Sequence, residues 1–128
     1  MDYSIKRRKT NLIHVGGIPI GGDSPIVIQS MTNTDSHDFE STYRQMKELE
    51  EAGCDIVRLT LPDLESCETV SRLKKSDLKI PLVGDIHFNY KIALAAADAG
   101  IDKIRINPGN IGSDEKVKAV AEKCKERH

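Results

Sequence analysis

Tryptophan is absent, and only three tyrosines and two phenylalanines occur among 128 residues. So few rings argue against the aromatic platforms that hold single-stranded nucleic acid. Charge of one sign is also lacking: nineteen lysines and arginines face twenty aspartates and glutamates, a formal net charge of −1. Such a balance leaves no global field to gather nucleic acid or a membrane surface. No apolar run approaches the roughly 20 residues of a membrane span. The basic stretch Met1 to Lys9 is not followed by an apolar segment, so it does not read as a secretory signal. The expectation is a cytoplasmic protein. The three cysteines, Cys54, Cys67 and Cys124, make no Cys-x-x-Cys and have no histidine at metal-ligand spacing. They are expected to be thiols in a reducing compartment, and no metal ligand is assigned.

What is present is a strict order of short apolar runs and amphipathic stretches, in a length suited to one domain with a core. Leu12 to Val15 and Ile18 to Ile20 flank Gly16-Gly17, a tight-hairpin signal. After the breaker-rich Gly21-Gly22-Asp23-Ser24-Pro25, strands are predicted over Ile26 to Met31, Ile56 to Leu61, Ile80 to Ile86 and Lys103 to Asn107. The first, mostly apolar, reads as covered on both faces. Helices should lie between them. The first runs from Asp38 to Ala52 with an inner stripe of Phe39, Tyr43, Met46 and Leu49. A second stripe is Leu64, Cys67, Val70 and Leu73, behind a cap at Asp63. A third, Ala-rich helix is capped by Asn89 and ended by Gly100. A last one, capped by Ser113, turns Val117, Val120 and Cys124 inward.

This is α/β: a parallel βαβαβαβα order preceded by an N-terminal β-hairpin. The division expected is a tail and hairpin over 1–24 and a partial (β/α) barrel over 25–128. Four parallel strands are half of an eight-stranded TIM-type barrel of about 250 residues. Three alternatives follow: a truncated barrel, two copies that pair, or a small open sheet. An internal echo supports repetition of one unit. Ala52-Gly53-Cys54-Asp55-Ile56-Val57-Arg58-Leu59-Thr60 is matched by Ala99-Gly100-Ile101-Asp102-Lys103-Ile104-Arg105-Ile106-Asn107.

Strand side chains alternate between faces. Arg58 and Thr60 share one face, as do Asp85 and His87, and Arg105 and Asn107. Each set sits at the carboxyl end of its strand, where parallel α/β proteins bind ligands. Two guanidinium forks there suit a phosphate or diphosphate. Asp85 could instead make a structural ion pair with Arg58 or Arg105, which would still leave an arginine needing an anion. His87 is either a core histidine or a donor to a ligand oxygen, with general-acid chemistry open to it. Asn107 and Asn110 are turn formers or polar contacts. The stretch Asn107-Pro108-Gly109-Asn110-Ile111-Gly112 reads as a Gly-rich loop offering backbone N–H groups to an anion before the last helix.

Taken in order, Pro19-Ile20-Gly21-Gly22, Gln29-Ser30-Met31-Thr32-Asn33-Thr34, Asp55-Ile56-Val57-Arg58, Asp85-Ile86-His87-Phe88 and Arg105 to Gly112 closely resemble the 4-hydroxy-3-methylbut-2-enyl diphosphate synthase family. The resemblance covers nearly the whole chain from about Arg8. It implies a fold that is the first half of a TIM-type barrel. It also implies a role in isoprenoid biosynthesis by the methylerythritol phosphate route. There the full-length enzyme reductively opens 2-C-methyl-D-erythritol 2,4-cyclodiphosphate, with electrons from flavodoxin or ferredoxin.

Arg58 and Arg105 resemble the family's diphosphate-binding residues. Asp85 and His87 resemble its substrate-contacting pair, and Asn107 and Asn110 the polar groups beside them. Thr32 and Asn33 lie in the loop after the first strand. The family's 4Fe-4S cluster sits in a C-terminal domain that closes over the partner subunit's barrel in a homodimer. Neither that domain nor the later strands are in this sequence, and the three cysteines match no cluster motif. The resemblance therefore implies an N-terminal fragment that binds no cofactor and is inactive alone. The rivals are a non-enzymatic phosphate-binding half barrel and a barrel enzyme like the pterin-binding synthases.

Overall fold

The computed structural model describes residues 5–127; Met1–Ser4 of the expected tail and His128 of the expected last helix lie outside the described residues. Strands β1 (Ile13–Val15) and β2 (Ile18–Ile20) form the antiparallel hairpin about Gly16-Gly17. Strands β3 (Gln29–Met31), β4 (Ile56–Thr60), β5 (Leu82–Ile86) and β6 (Lys103–Ile106) form a parallel sheet in chain order. Helices α1 (Phe39–Glu51), α2 (Ser66–Lys74) and α3 (Tyr90–Asp98) connect them, and α4 (Pro108–Ile111) and α5 (Asp114–Arg127) follow β6. Parallel neighbours in sequence order, each joined through a helix, are what right-handed crossovers build and what a TIM-type barrel continues.

The internal echo has a structural basis. Gly53 and Gly100 both take φ +93°, a left-handed turn that a side chain would strain, and so end α1 and α3 alike. Two residues on, Asp55 Oδ2 accepts from Ile28 N and Asp102 Oδ2 accepts from Leu82 N. Each aspartate thus ties the start of its own strand to the preceding one. Helix starts follow equally local chemistry: Asp38 Oδ1 accepts from Ser41 N, and Asn89 Oδ1 from Lys91 N.

The core lies between the sheet and its helices. Val57, Leu59, Leu82 and Ile86 from the strands bury against Met46 of α1, Val70 and Leu73 of α2, and Ala93 and Ala96 of α3. Each of the valine, leucine, isoleucine and methionine side chains contributes about 1.5–3 kcal/mol when fully buried. On the opposite face, Ile56 and Val83 pack under Val15, with Ile18 and Ile20 around them. The hairpin therefore closes the amino end of that face. Its carboxyl end is left to the polar side chains.

Four expectations need correction. β3 is three residues long, and Ile26 and Ile28 just before it are exposed, because among the described residues this edge strand pairs with β4 alone. Leu64 precedes α2 and is exposed rather than part of its stripe. Cys124 is also exposed: α5 packs chiefly on α3 and α4, and the far end of its stripe borders β6 across a small gap of about 40 Å³ shared with Lys103 and Ile104. Finally, the Gly-rich loop is the single helical turn α4. Pro108 stands in its first turn, Asn107 Oδ1 accepts from Gly109 N, and Asn107 O accepts from Asn110 N and Ile111 N. Those N–H groups are used within the turn and do not form the expected anion cradle.

Candidate functional site

Register across three strands brings the polar residues together. Thr60 lies opposite Asp85, and Asp85 opposite Arg105. Arg58, two residues before Thr60, therefore shares a face with both. The side chain of Asp85 is 1% exposed, against 28% for Arg58 and 44% for Arg105. Arg58 Nη2 donates to Asp85 Oδ2 at 2.5 Å, and Arg105 Nη1 donates to Oδ1 at 3.2 Å. His87 Nε2 stands 3.9 Å from Asp85 Oδ2, half-exposed.

The structural ion pair considered from the sequence is thus formed, and by both arginines on one carboxylate. A carboxylate this buried requires such partners. The balance is two cations on one anion. Each guanidinium has five N–H donors, most of them not spent on Asp85, and Arg58 Nε is buried with no hydrogen-bond partner among the described residues. The cluster keeps surplus positive charge and unused donors at the partly exposed side, which an anion with several oxygens would satisfy.

The remaining predicted residues divide. Asn107 shapes the chain by capping α4, and Asn110 is an exposed member of that turn. Thr32 is buried, its N–H on Arg58 O, while Asn33 is engaged with Gln45 through two hydrogen bonds. Beside the cluster, Leu61, Pro62, His87, Phe88, Asn89 and Ile92 line a concavity of about 180 Å³. A wider one of about 420 Å³ opens at the amino end of the strands, but its Asp98 and Asp102 are already paired with Arg127 and Lys74. The converging arginines and His87 lie at the carboxyl end.

The rim holds a group that sequence reasoning passed over. His37, in the loop after β3, has Nδ1 2.7 Å from Asp35 Oδ1 and Nε2 2.7 Å from Asp63 Oδ2. The hydrogen bonds to Asp63 and then Asp35 raise the imidazole pKa above its usual value. Asp35 is lowered chiefly by His37 N, and Asp63 chiefly by Ser66 N with His37 next. Asp-x-His in a polar loop was the only local signal, and its partner Asp63 is far off in sequence.

The cysteines do not fit an iron–sulfur cluster. Burial pushes the Cys67 thiol up to about 11, opposite to the thiolate a cluster needs. Cys54 Sγ donates to Ile56 O, and Cys124 lies exposed on α5. No group of three or more potential metal ligands is gathered among the described residues. No step through such a cluster is derived from these residues.

A parallel sheet in chain order, helices on one face, a hairpin under the other and cationic side chains at the strand ends define an α/β protein of the TIM-barrel class. More narrowly, the chain belongs to the GcpE TIM-barrel domain family, whose profile matches residues 10–128.

Among curated relatives, the 4-hydroxy-3-methylbut-2-en-1-yl diphosphate synthase (flavodoxin) of Ruminiclostridium cellulolyticum is 54% identical over 127 residues, covering 99% of this chain and 36% of the relative. The protein of the same name from Ectopseudomonas mendocina is 51% identical over 123 residues, covering 96% and 33%. The chain therefore spans about a third of the length of the relatives it matches. Dihydropteroate synthase from Xanthomonas albilineans, in complex with 7,8-dihydropteroate, superposes with a TM-score of 0.68 over 88% of this chain and 46% of its own. At 21% identity that likeness shows the fold alone, so the pterin-binding alternative is not favoured.

Proposed function

We propose that this chain forms part of the diphosphate-binding site of a synthase that reductively opens 2-C-methyl-D-erythritol 2,4-cyclodiphosphate to 4-hydroxy-3-methylbut-2-enyl diphosphate, in the cytoplasm. One observation supports the site most strongly: Arg58 and Arg105 converge on the single buried carboxylate of Asp85 at the carboxyl ends of neighbouring strands. Asp85 holds the two forks in place, and their remaining N–H groups take the diphosphate oxygens. His87, 3.9 Å from Asp85, contributes a hydrogen bond to the bound ligand from the wall of the adjoining concavity. Asn110 and the Asn107-capped turn bound the site on the β6 side. Residues 25–128 act as the barrel part and 1–24 as its tail and basal hairpin.

Reduction needs an electron-carrying cofactor, and the cysteines here do not assemble one. In this reading a 4Fe-4S cluster, the electron donor (flavodoxin or ferredoxin) and closure within a homodimer belong to the longer enzyme. The isolated chain binds the substrate without converting it. Flavodoxin is part of the name of the curated relatives.

Calorimetric titration distinguishes the reading from a general phosphate-binding half barrel. The cyclic diphosphate and pyrophosphate should bind at least about tenfold more tightly than inorganic phosphate, since two forks engage two phosphoryl groups. Equal affinity for inorganic phosphate would favour the half barrel with no synthase role.

A further inference from the structure

We propose that His37 is a positioning residue: held as an imidazolium, it clasps the β3–α1 loop to the β4–α2 loop and so fixes the wall of the anion site next to Arg58. This rests on the diphosphate-site reading for its consequence, though not for the clasp itself.

The protonation state follows from geometry. Nδ1 lies 2.7 Å from Asp35 Oδ1, and Nε2 lies 2.7 and 2.9 Å from Asp63 Oδ2 and Oδ1. Ionised carboxylates accept only, so both ring nitrogens must donate, which imidazolium alone can do. Both aspartates are themselves held as acceptors: Asp35 Oδ1 also takes His37 N, and Asp63 Oδ1 takes Ser66 N. The charged groups facing the ring are Asp35 on its own loop and Asp63 from the β4–α2 loop. Asp38, at the start of α1, is turned to Ser41 N. All are acidic, and the raised imidazole pKa agrees with that.

The clasp matters because of what the loop touches. Thr32 N donates to Arg58 O, and Ser36 Oγ donates to Thr60 O. Loop residues on either side of the turn thus rest on the backbone of the strand that aims Arg58. Loss of the His37 proton removes one of the two ring bonds and leaves Asp35 and Asp63 without a cation between them. Among the described residues, the hydrogen bonds that then hold the loop to β4 are those of Thr32 and Ser36.

The 128-residue chain, its His37→Arg variant and its His37→Gln variant are compared. Arginine keeps a bridging cation at every pH, and glutamine never supplies one. Imidazole nitrogen shifts of the unaltered chain should show His37 doubly protonated beyond about pH 6.5, the ordinary histidine value. Pyrophosphate affinity relative to His37→Arg should be near unity at about pH 6. It should fall about two- to five-fold by about pH 8.5, the scale of an exposed ion pair; comparison at equal pH cancels ionisation of the probe. His37→Gln should be weaker than His37→Arg at both. A singly protonated ring at about pH 6, or a ratio that does not change with pH, overturns the proposal. Should the unaltered chain bind no pyrophosphate, the diphosphate reading fails, and the clasp is judged from amide exchange across 32–37. Faster exchange in His37→Gln than in His37→Arg supports the clasp, and equal exchange rejects it.

Discussion

At the scale of single residues, Asp85 is the group on which the site turns. It is buried and neutralised by two guanidiniums at once. Replacing it by asparagine removes the charge while keeping the shape, and leaves Arg58 and Arg105 facing each other across a desolvated amide. The Asp85→Asn variant should lose about 2–4 kcal/mol of stability, read as a lowered urea midpoint with an unchanged slope. A shift near zero would mean that the arginines find other acceptors and that Asp85 does not organise them. The face shared by these residues was legible from strand alternation alone. That one carboxylate would serve both arginines was not, because it depends on register across β4, β5 and β6, and a single sequence does not specify register between strands joined by long crossovers.

At the scale of elements, β5 is fully enclosed, and Gly84 is where the enclosure is tightest. A Cβ there would come within 2.8 Å of Leu61 Cδ1 and 3.6 Å of Ile101 Cγ1. Leu61 is buried, so it has little room to withdraw. Gly84→Ala should cost about 1–3 kcal/mol by overpacking, seen as a fall in Tm. Leu73→Ala on α2, by leaving a cavity, should cost about 2–5 kcal/mol. Neither variant should remove pyrophosphate binding at temperatures where it stays folded.

Elements whose signals are local were readable: the cap at Asn89, the helix-ending Gly53 and Gly100, and the hairpin at Gly16-Gly17. The turn α4 was not, because proline, glycine and asparagine in succession look like breakers until the Asn107 side chain is seen to cap them. Cys124 misled for another reason. Its spacing is that of an inward stripe, but only tertiary placement of α5 against α3 shows that this end stays exposed beside β6.

At the scale of the whole molecule, opposing titrations shape stability. Asp35, Asp63, Asp77 and Asp98 have pKa values lowered from 3.8. Their contribution is present above 3.8 and is lost as pH falls through the lower folded values. His37 is raised from 6.5. Its contribution is complete below 6.5 and is lost as pH rises through the higher folded value. Urea midpoints should therefore be highest between about pH 4 and pH 6.5 and decline on both sides. The decline between about pH 6.5 and pH 9 should disappear in His37→Gln, whereas the loss above about pH 9, where the buried Cys67 thiol resists ionisation, should remain; persistence of the first decline in His37→Gln would assign it to another group.

The four-stranded order of the sheet was visible in the alternation of strand and helix patterns. The exposed edge of β3 was not, since an apolar run such as Ile26 to Ile28 reads as buried wherever a neighbouring strand is assumed. That edge and the match to about a third of each relative concern the same feature: four strands in the order of a barrel with eight.

The central claim is that Arg58 and Arg105 act together on one diphosphate. Calorimetric titration of pyrophosphate into the unaltered chain, Arg58→Ala and Arg105→Ala tests it most directly. Each substitution should weaken binding about 10- to 100-fold, the worth of a charge-assisted hydrogen bond, with circular dichroism unchanged. If either folded variant binds pyrophosphate as tightly as the unaltered chain, the two arginines do not share a ligand.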